Sequence, residues 1–193
     1  MRLSKIFKNT LLVLTACLVL SACATKKEVA TRDINIKYVA EDEPLGTAGA
    51  LSLMREFNIK TPLIVINGDV LTRLNAGELL DYHTANGAKA TMCVRKHSIT
   101  IPYGVVESNG SFLESIREKP DIPYMANAGV YVVGHTTLEI LQPGKYMDMP
   151  DFLQQIANEG GRVAVCPIHE YWLDVGRHET LHEAVITWDT ESD

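Results

Sequence analysis

Glycine is missing from the first 33 residues of this 193-residue chain and first occurs at Gly46. That stretch therefore lacks the Gly-rich nest of backbone N–H groups that usually grips a polyphosphate. Basic residues are the minority, 18 Lys and Arg against 24 Asp and Glu, a formal net charge of −6. Arg2, Lys5 and Lys8 sit at the very start, and the chain from Cys23 onward carries −9. So acidic a body lacks the phosphate-neutralising charge of general nucleic-acid binders, and no nucleic-acid partner is expected. Long apolar runs are scarce as well. After the first 22 residues none reaches the ~18 residues of a membrane-spanning helix. The four cysteines, Cys17, Cys23, Cys93 and Cys166, form no CxxC pair. Cys93 and Cys166 have no Cys/His partner at metal spacing, so two buried, reduced thiols are expected, with a disulfide between them open if the body is exported. With 46% apolar and 22% charged residues, most of the chain should fold as one domain with a short extension.

The first 22 residues carry a basic start, an apolar run from Leu11 to Leu20, and Ser21-Ala22 before Cys23. This is the pattern of an export signal. Leu20-Ser21-Ala22-Cys23 resembles the lipobox of bacterial lipoproteins, which implies cleavage before Cys23, acylation of its thiol and a membrane anchor in the cell envelope. A buried amphipathic N-terminal helix is the plainer alternative, and a cytoplasmic location follows if the leader is a fusion artefact. The expected division is a signal peptide over 1–22, a linker over 23–33, a folded domain over 34–188 and a tail over 189–193.

Strand-like and helix-like segments alternate through the body. Strands are expected near Ile34 to Val39, Leu63 to Ile66, Ala90 to Val94, Gly104 to Glu107, Gly129 to Val133 and Arg162 to Cys166. Leu63-Ile64-Val65-Ile66 is a β-branched run suited to a parallel strand covered on both faces. Helical patterns cover Thr47 to Phe57, Pro150 to Asn158 and His178 to Ile186. Asn75-Ala76-Gly77-Glu78 reads as a capping box for another helix that Gly87 stops. The expected fold is α/β: a mostly parallel sheet layered by helices on both sides.

In such sheets, polar residues just past strand ends line the ligand crevice. Asp69 and Asp174 take such positions, and two converging carboxylates could hold Mg²⁺ while leaving other coordination sites to phosphates and water. Each Asp could equally cap a local turn or helix.

Six segments in order resemble the sugar-phosphate nucleotidyltransferases, which make nucleotide-diphosphate sugars. They are Glu41 to Ala50, Asn67-Gly68-Asp69, Tyr103-Gly104-Val105, Glu118-Lys119-Pro120, Asn127 to Tyr131 and Trp172-Leu173-Asp174-Val175-Gly176. The closest flavour is guanylyltransferase-like, acting on mannose- or glucosamine-type phosphates. The resemblance implies a Rossmann-like three-layer α/β/α fold, here lacking its first strands. It implies partners, a nucleoside triphosphate and a sugar 1-phosphate, and a cofactor, Mg²⁺. Leu45, Gly46, Thr47 and Gly68 would bind the nucleotide. Asp69 and Asp174 would hold the metal. Tyr103, Gly104, Glu118, Asn127 and Trp172 would line the sugar, and Lys119 would meet its phosphate. Each also has a bland reading: turn glycines, a solvated Glu-Lys-Pro loop, a backbone-satisfying Asn and a core Trp.

The same family opens its catalytic domain with a Gly-rich loop ending in Arg, and residues 1–33 offer no such segment. Reduced turnover is therefore expected, along with an exposed sheet edge and marginal stability. Two rival functions are a non-catalytic, lipid-anchored protein that binds sugar or nucleotide, and a zinc protease built on His178-Glu179-Thr180-Leu181-His182. The protease lacks a well-spaced third ligand in the 11 residues that follow. His83, His97, His135 and His169 fall singly in loops or element ends and need no functional role.

Overall fold

The computed structural model describes residues 36–176 together with Thr180, Ala184 and residues 186–188. A four-stranded sheet forms the centre. Its strands are β1 (Leu63–Ile66), β3 (Ala90–Thr100), β6 (Asp121–Val133) and β7 (Val163–Pro167), in the order β1-β6-β3-β7. Two small ribbons flank it, β2 (Val70–Thr72) with β8 (Trp172–Asp174), and β4 (Val105–Asn109) with β5 (Phe112–Arg117). The helices are α1 (Gly46–Gly49), which continues as a 3₁₀ helix over Ala50–Phe57, then α2 (Ala76–Ala85) and α3 (Met149–Asn158).

Alternation along the strands sorts the core into two layers. Leu63, Val65, Ala90, Tyr131 and Val133 pack on one face with Leu51, Met149, Phe152 and Ile156 of α3 and the 3₁₀ helix. Ile64, Cys93, Val130 and Val132 pack on the other with Leu79 of α2, Ile168 and the rim of Trp172. Sheet and helices thus form the three-layer α/β/α arrangement, since a strand covered on both sides needs apolar side chains at every position.

The sheet is mixed rather than mostly parallel. β1, β3 and β7 point the same way, but β6 runs antiparallel between β1 and β3 and leaves β3–β7 as the parallel pair. The cause lies in the connection. Between β3 and β6 the chain makes only the β4–β5 hairpin, with no helix, and a parallel return needs a longer crossover. Residues 36–39, expected as the end of a strand, form none. The strands at 90–94 and 129–133 are longer than expected because both run outward as an arm, pairing from Val94↔Asn127 to Thr100↔Asp121.

At the base of that arm the β3–β6 register shifts. Tyr131 faces Met92 and Asn127 faces Val94, so three residues of β6 stand opposite one of β3. Gly129 lies in this bulge with φ +67. The expected caps are present. Asn75 Oδ1 accepts from the N–H groups of Gly77 (2.9 Å) and Glu78 (3.3 Å), and Glu78 Oε1 accepts from Asn75 Nδ2 at 2.8 Å. Pro150 occupies the first turn of α3, where no intrahelical N–H is needed. Of the third expected helix, Thr180, Ala184 and residues 186–188 are helical.

Candidate active site

β1 ends at Ile66, and Asn67-Gly68-Asp69 turns the chain into β2. The Asn67 N–H donates to the Gly129 carbonyl at 2.8 Å, and the Val70 N–H donates back to the Asn67 carbonyl at 3.1 Å. β2 pairs with β8 so that Val70 faces Asp174, and the Val175 N–H donates to the Asp69 carbonyl at 2.8 Å. Asp174 Oδ1 accepts from the Gly176 N–H at 2.8 Å. A methyl placed on Gly176 would lie 3.0 Å from Asp174 Oδ1 and 3.2 Å from Asp69 Oδ2. Both carboxylates therefore bracket one point above Gly176, where glycine leaves room. Both are solvent-exposed. No cluster of three or more His, Cys, Asp or Glu side chains suited to a metal occurs among the described residues. A pair of carboxylates is nonetheless the donor set by which Mg²⁺ is usually held when phosphates complete its shell.

A second group lies at the root of the β4–β5 hairpin. The Lys119 N–H donates to the Tyr103 carbonyl at 3.3 Å, and Lys119 adopts φ 45. Left-handed backbone is uncommon for a residue with a Cβ and is found most often at turns and binding sites. A Cβ on Gly104 would stand 3.0 Å from Glu118 Oε2. Tyr103, Gly104, Glu118 and Lys119 are thus neighbours, all exposed. The Lys119 ammonium enters no ion pair among the described residues.

Asn127 lies at the base of the arm, opposite Val94, and Trp172 opens the short strand that ends at Asp174. Asn127 donates to the Tyr131 hydroxyl at 2.7 Å and accepts from the Gly129 N–H at 3.1 Å. Trp172 Nε1 donates to the Ala128 carbonyl at 2.7 Å, and its ring meets His97 edge-on with centroids 6.2 Å apart. His97 also stacks on Tyr124 at 5.9 Å, within β3 rather than in a loop or at an element end. Trp172 is half-buried and packs against the second core layer.

The third group is Leu45-Gly46-Thr47. The Leu45 side chain is buried, and its carbonyl accepts from the Met147 N–H at 2.8 Å. Gly46 has φ +77, and a Cβ there would be 2.6 Å from the Met147 carbonyl oxygen, so no other residue fits without displacement. Thr47 bonds to Asp148, which sequence reasoning did not single out; its only signal was its place just ahead of a helix start. α3 leads through a short turn into β7, so its N-terminus shares the sheet end at which β1 and β7 finish. The Leu45–Thr47 turn and the two carboxylates consequently occupy the same end of the sheet. No hydrogen bond or ion pair joins the three groups directly among the described residues.

Other expectations fall elsewhere. Cys93 and Cys166 are free thiols directly opposite each other on β3 and β7. Burial is the main cause raising the Cys93 thiol to about 12, helped by the neighbouring Cys166. His83 is buried in the last turn of α2, its Nδ1 2.9 Å from the Thr91 hydroxyl. Cys17, Cys23 and the leader lie outside the described residues, as do His178, Glu179 and His182 of the protease motif.

A model of the nucleotidyl transferase family matches residues 3–190, beginning inside the stretch read as a leader. The chain is 31% identical over 161 residues to a mannose-1-phosphate guanyltransferase of Schizosaccharomyces pombe, covering 80% of this chain and 44% of that protein. It is 34% identical over 151 residues to the mannose-1-phosphate guanylyltransferase catalytic subunit beta of Dictyostelium discoideum, covering 75% and 41%. The chain thus spans less than half the length of these curated relatives. Among solved structures, HddC from Yersinia pseudotuberculosis matches with a TM-score of 0.56 at 23% identity, covering 77% of this chain and 64% of that one. HddC complexed with GMP-PN gives 0.57 at 21% identity, covering 78% and 65%. The likeness to HddC is one of fold; the family match rests on nearly the whole sequence. The chain belongs to the nucleotidyl transferase family.

Proposed function

We propose that this chain binds a nucleoside triphosphate and a sugar 1-phosphate and transfers the nucleotidyl group between them, with GTP and mannose 1-phosphate the first pair to test. The observation that carries the reading is the convergence of Asp69 and Asp174 over Gly176. In the reaction a phosphate oxygen of the sugar 1-phosphate attacks the α-phosphorus. The bond from that phosphorus to the bridging oxygen of the β-phosphate breaks, and pyrophosphate leaves. Both reactants are anions, so alignment and charge neutralisation matter more than a strong base. Asp69 and Asp174 would hold Mg²⁺, which when bound offsets phosphate charge at the reacting centre. Lys119 brings the one positive side chain of its group to the sugar phosphate. Gly104 and Glu118 face the sugar beside Tyr103, while Asn127 and Trp172 line the approach. Leu45, Gly46, Thr47 and Gly68 contact the nucleotide.

The test is the full chain with Mg²⁺, GTP or dTTP, and mannose or glucose 1-phosphate, followed by pyrophosphate release and calorimetry. Nucleotide binding with slow release that depends on Asp69 and Asp174 supports the proposal. Binding without release leaves a sugar- or nucleotide-binding protein, and no binding overturns the reading. The lipobox-like Leu20-Ser21-Ala22-Cys23 supports a membrane anchor through an acylated Cys23. The intact mass of the protein from a bacterial host tests that anchor: an added diacylglyceryl mass at a chain starting with Cys23 is expected, and an unprocessed Met1 terminus overturns it.

A further inference from the structure

Asp148 holds the N-cap position of α3 with extended backbone, φ −87 and ψ 152, yet its side chain makes no capping bond to its own helix. An Asp at that position ordinarily accepts from the free N–H groups of the first turn. Here the carboxylate turns to a segment 101 residues earlier. Oδ1 accepts from the Thr47 N–H at 3.3 Å and from the Thr47 hydroxyl at 3.5 Å, while Oδ2 accepts from the Tyr146 hydroxyl at 2.9 Å. Thr47 reciprocates. Its Oγ1 accepts from the Met149 N–H at 2.7 Å and so satisfies a first-turn donor that Asp148 leaves open. The two residues cap across elements instead of within one.

This exchange does little that stability alone requires. The same two segments are already tied by backbone bonds: the N–H groups of Ala48 and Gly49 both donate to the Met147 carbonyl, at 2.9 and 3.0 Å, and the Met147 N–H donates to Leu45. The bonds from Thr47 to Asp148 are solvent-exposed, where such contacts add little net free energy. What the carboxylate does fix is the placement of the turn, since it takes up both the N–H and the hydroxyl of Thr47. Gly46 allows no slack beside it, with a would-be Cβ 2.9 Å from Asp148 Oδ1.

We infer that Asp148 is a positioning residue that sets nucleotide affinity by orienting the Leu45–Thr47 turn, without itself touching the ligand. The inference rests on the proposal that this turn is the nucleotide side of the site. The test is calorimetry on the full chain with GTP and Mg²⁺, and separately with mannose 1-phosphate, for the wild type, Asp148→Ala and Asp148→Asn. Asp148→Ala should raise the GTP dissociation constant about tenfold, because loosened support displaces a binding group by a fraction of an ångström. The mannose 1-phosphate constant and the thermal midpoint should stay unchanged. Asp148→Asn keeps an acceptor oxygen for Thr47 and should restore GTP affinity to within about twofold of wild type. Equal weakening of both ligands, or a loss that Asp148→Asn does not restore, would mark a general structural role and overturn the inference. Wild-type GTP binding that Asp148→Ala leaves unaltered overturns it while the nucleotide-side reading survives. A wild type that binds no GTP removes both.

Discussion

Asp69 Oδ2 and Asp174 Oδ1 point at the same spot above Gly176, although they lie 105 residues apart in the chain, because β2 and β8 pair with Val70 opposite Asp174. The pairing sets the backbones, and the missing side chain of Gly176 leaves the space between the carboxylates open.

Neutralising either carboxylate should therefore remove the same function. Asp69→Asn and Asp174→Asn are each expected to lower the initial rate of Mg²⁺-dependent pyrophosphate release by about 100-fold or more, and the double variant should be little worse than either single one. Both side chains are exposed, so thermal midpoints should stay close to wild type.

Filling the gap should act like removing a charge. Gly176→Ala brings a methyl within 3.0 and 3.2 Å of the two carboxylate oxygens, tighter than an ordinary contact. The oxygens must move apart, and displacements of that order cost about 10- to 100-fold in rate. Raising Mg²⁺ should recover part of the loss for Gly176→Ala and none for the Asp variants. Rates measured across a magnesium titration check this.

The bulge in β6 supports the same turn from below. Gly129 has φ +67, and an added Cβ would come 2.8 Å from Asn67 Nδ2 and 3.0 Å from Val70 Cγ2. Gly129→Ala should destabilise the protein by about 2 kcal/mol through backbone strain and crowding, read by urea unfolding. It should also depress Mg²⁺-dependent activity, since the crowded atoms flank Asp69.

Much of this was legible beforehand, for reasons visible residue by residue. Leu63–Ile66 announced a strand buried on both faces by being apolar at every position, and Asn75 with Glu78 announced a helix start by side-chain chemistry. Asp69 and Asp174 could be put at strand ends because a strand run and a turn adjoin each of them. The antiparallel β6 was not legible from its own residues. Gly129–Val133 reads the same in either direction, and only the absence of a helix before it carried the answer. Asp148 was hidden for a different reason: N-cap chemistry looks identical whether an Asp serves its own helix or a loop 101 residues away. Long-range reciprocity of that kind leaves no local pattern.

Burial pushes His83 below its ordinary value of 6.5. The unfolded chain takes up a proton on this ring near pH 6.5, whereas the folded chain resists until lower pH. His83 therefore contributes its full share to stability above that value and loses it as pH falls below. Thermal midpoints should drop between pH 7.5 and 5.5, and His83→Gln should show a smaller drop over the same interval.

The facing thiols should differ in reactivity. Cys93 is fully buried with its thiol pushed up to about 12, while Cys166 is partly accessible, its thiol also raised by burial. In a Cys17→Ser, Cys23→Ser background, an alkylating reagent at pH 8 should modify Cys166 slowly and Cys93 only after denaturation. Peptide mass mapping over a time course measures both.

The arm leaves the sheet as two strands that run on without a break through the Gly129 bulge. The span from the Gly104–Lys119 cluster to the paired acids is consequently a matter of strand rise and one kink, not of a tether that can lengthen. A ligand that reaches both ends meets a fixed interval. On the proposed function, discrimination among sugar phosphates would then follow from reach along that ribbon.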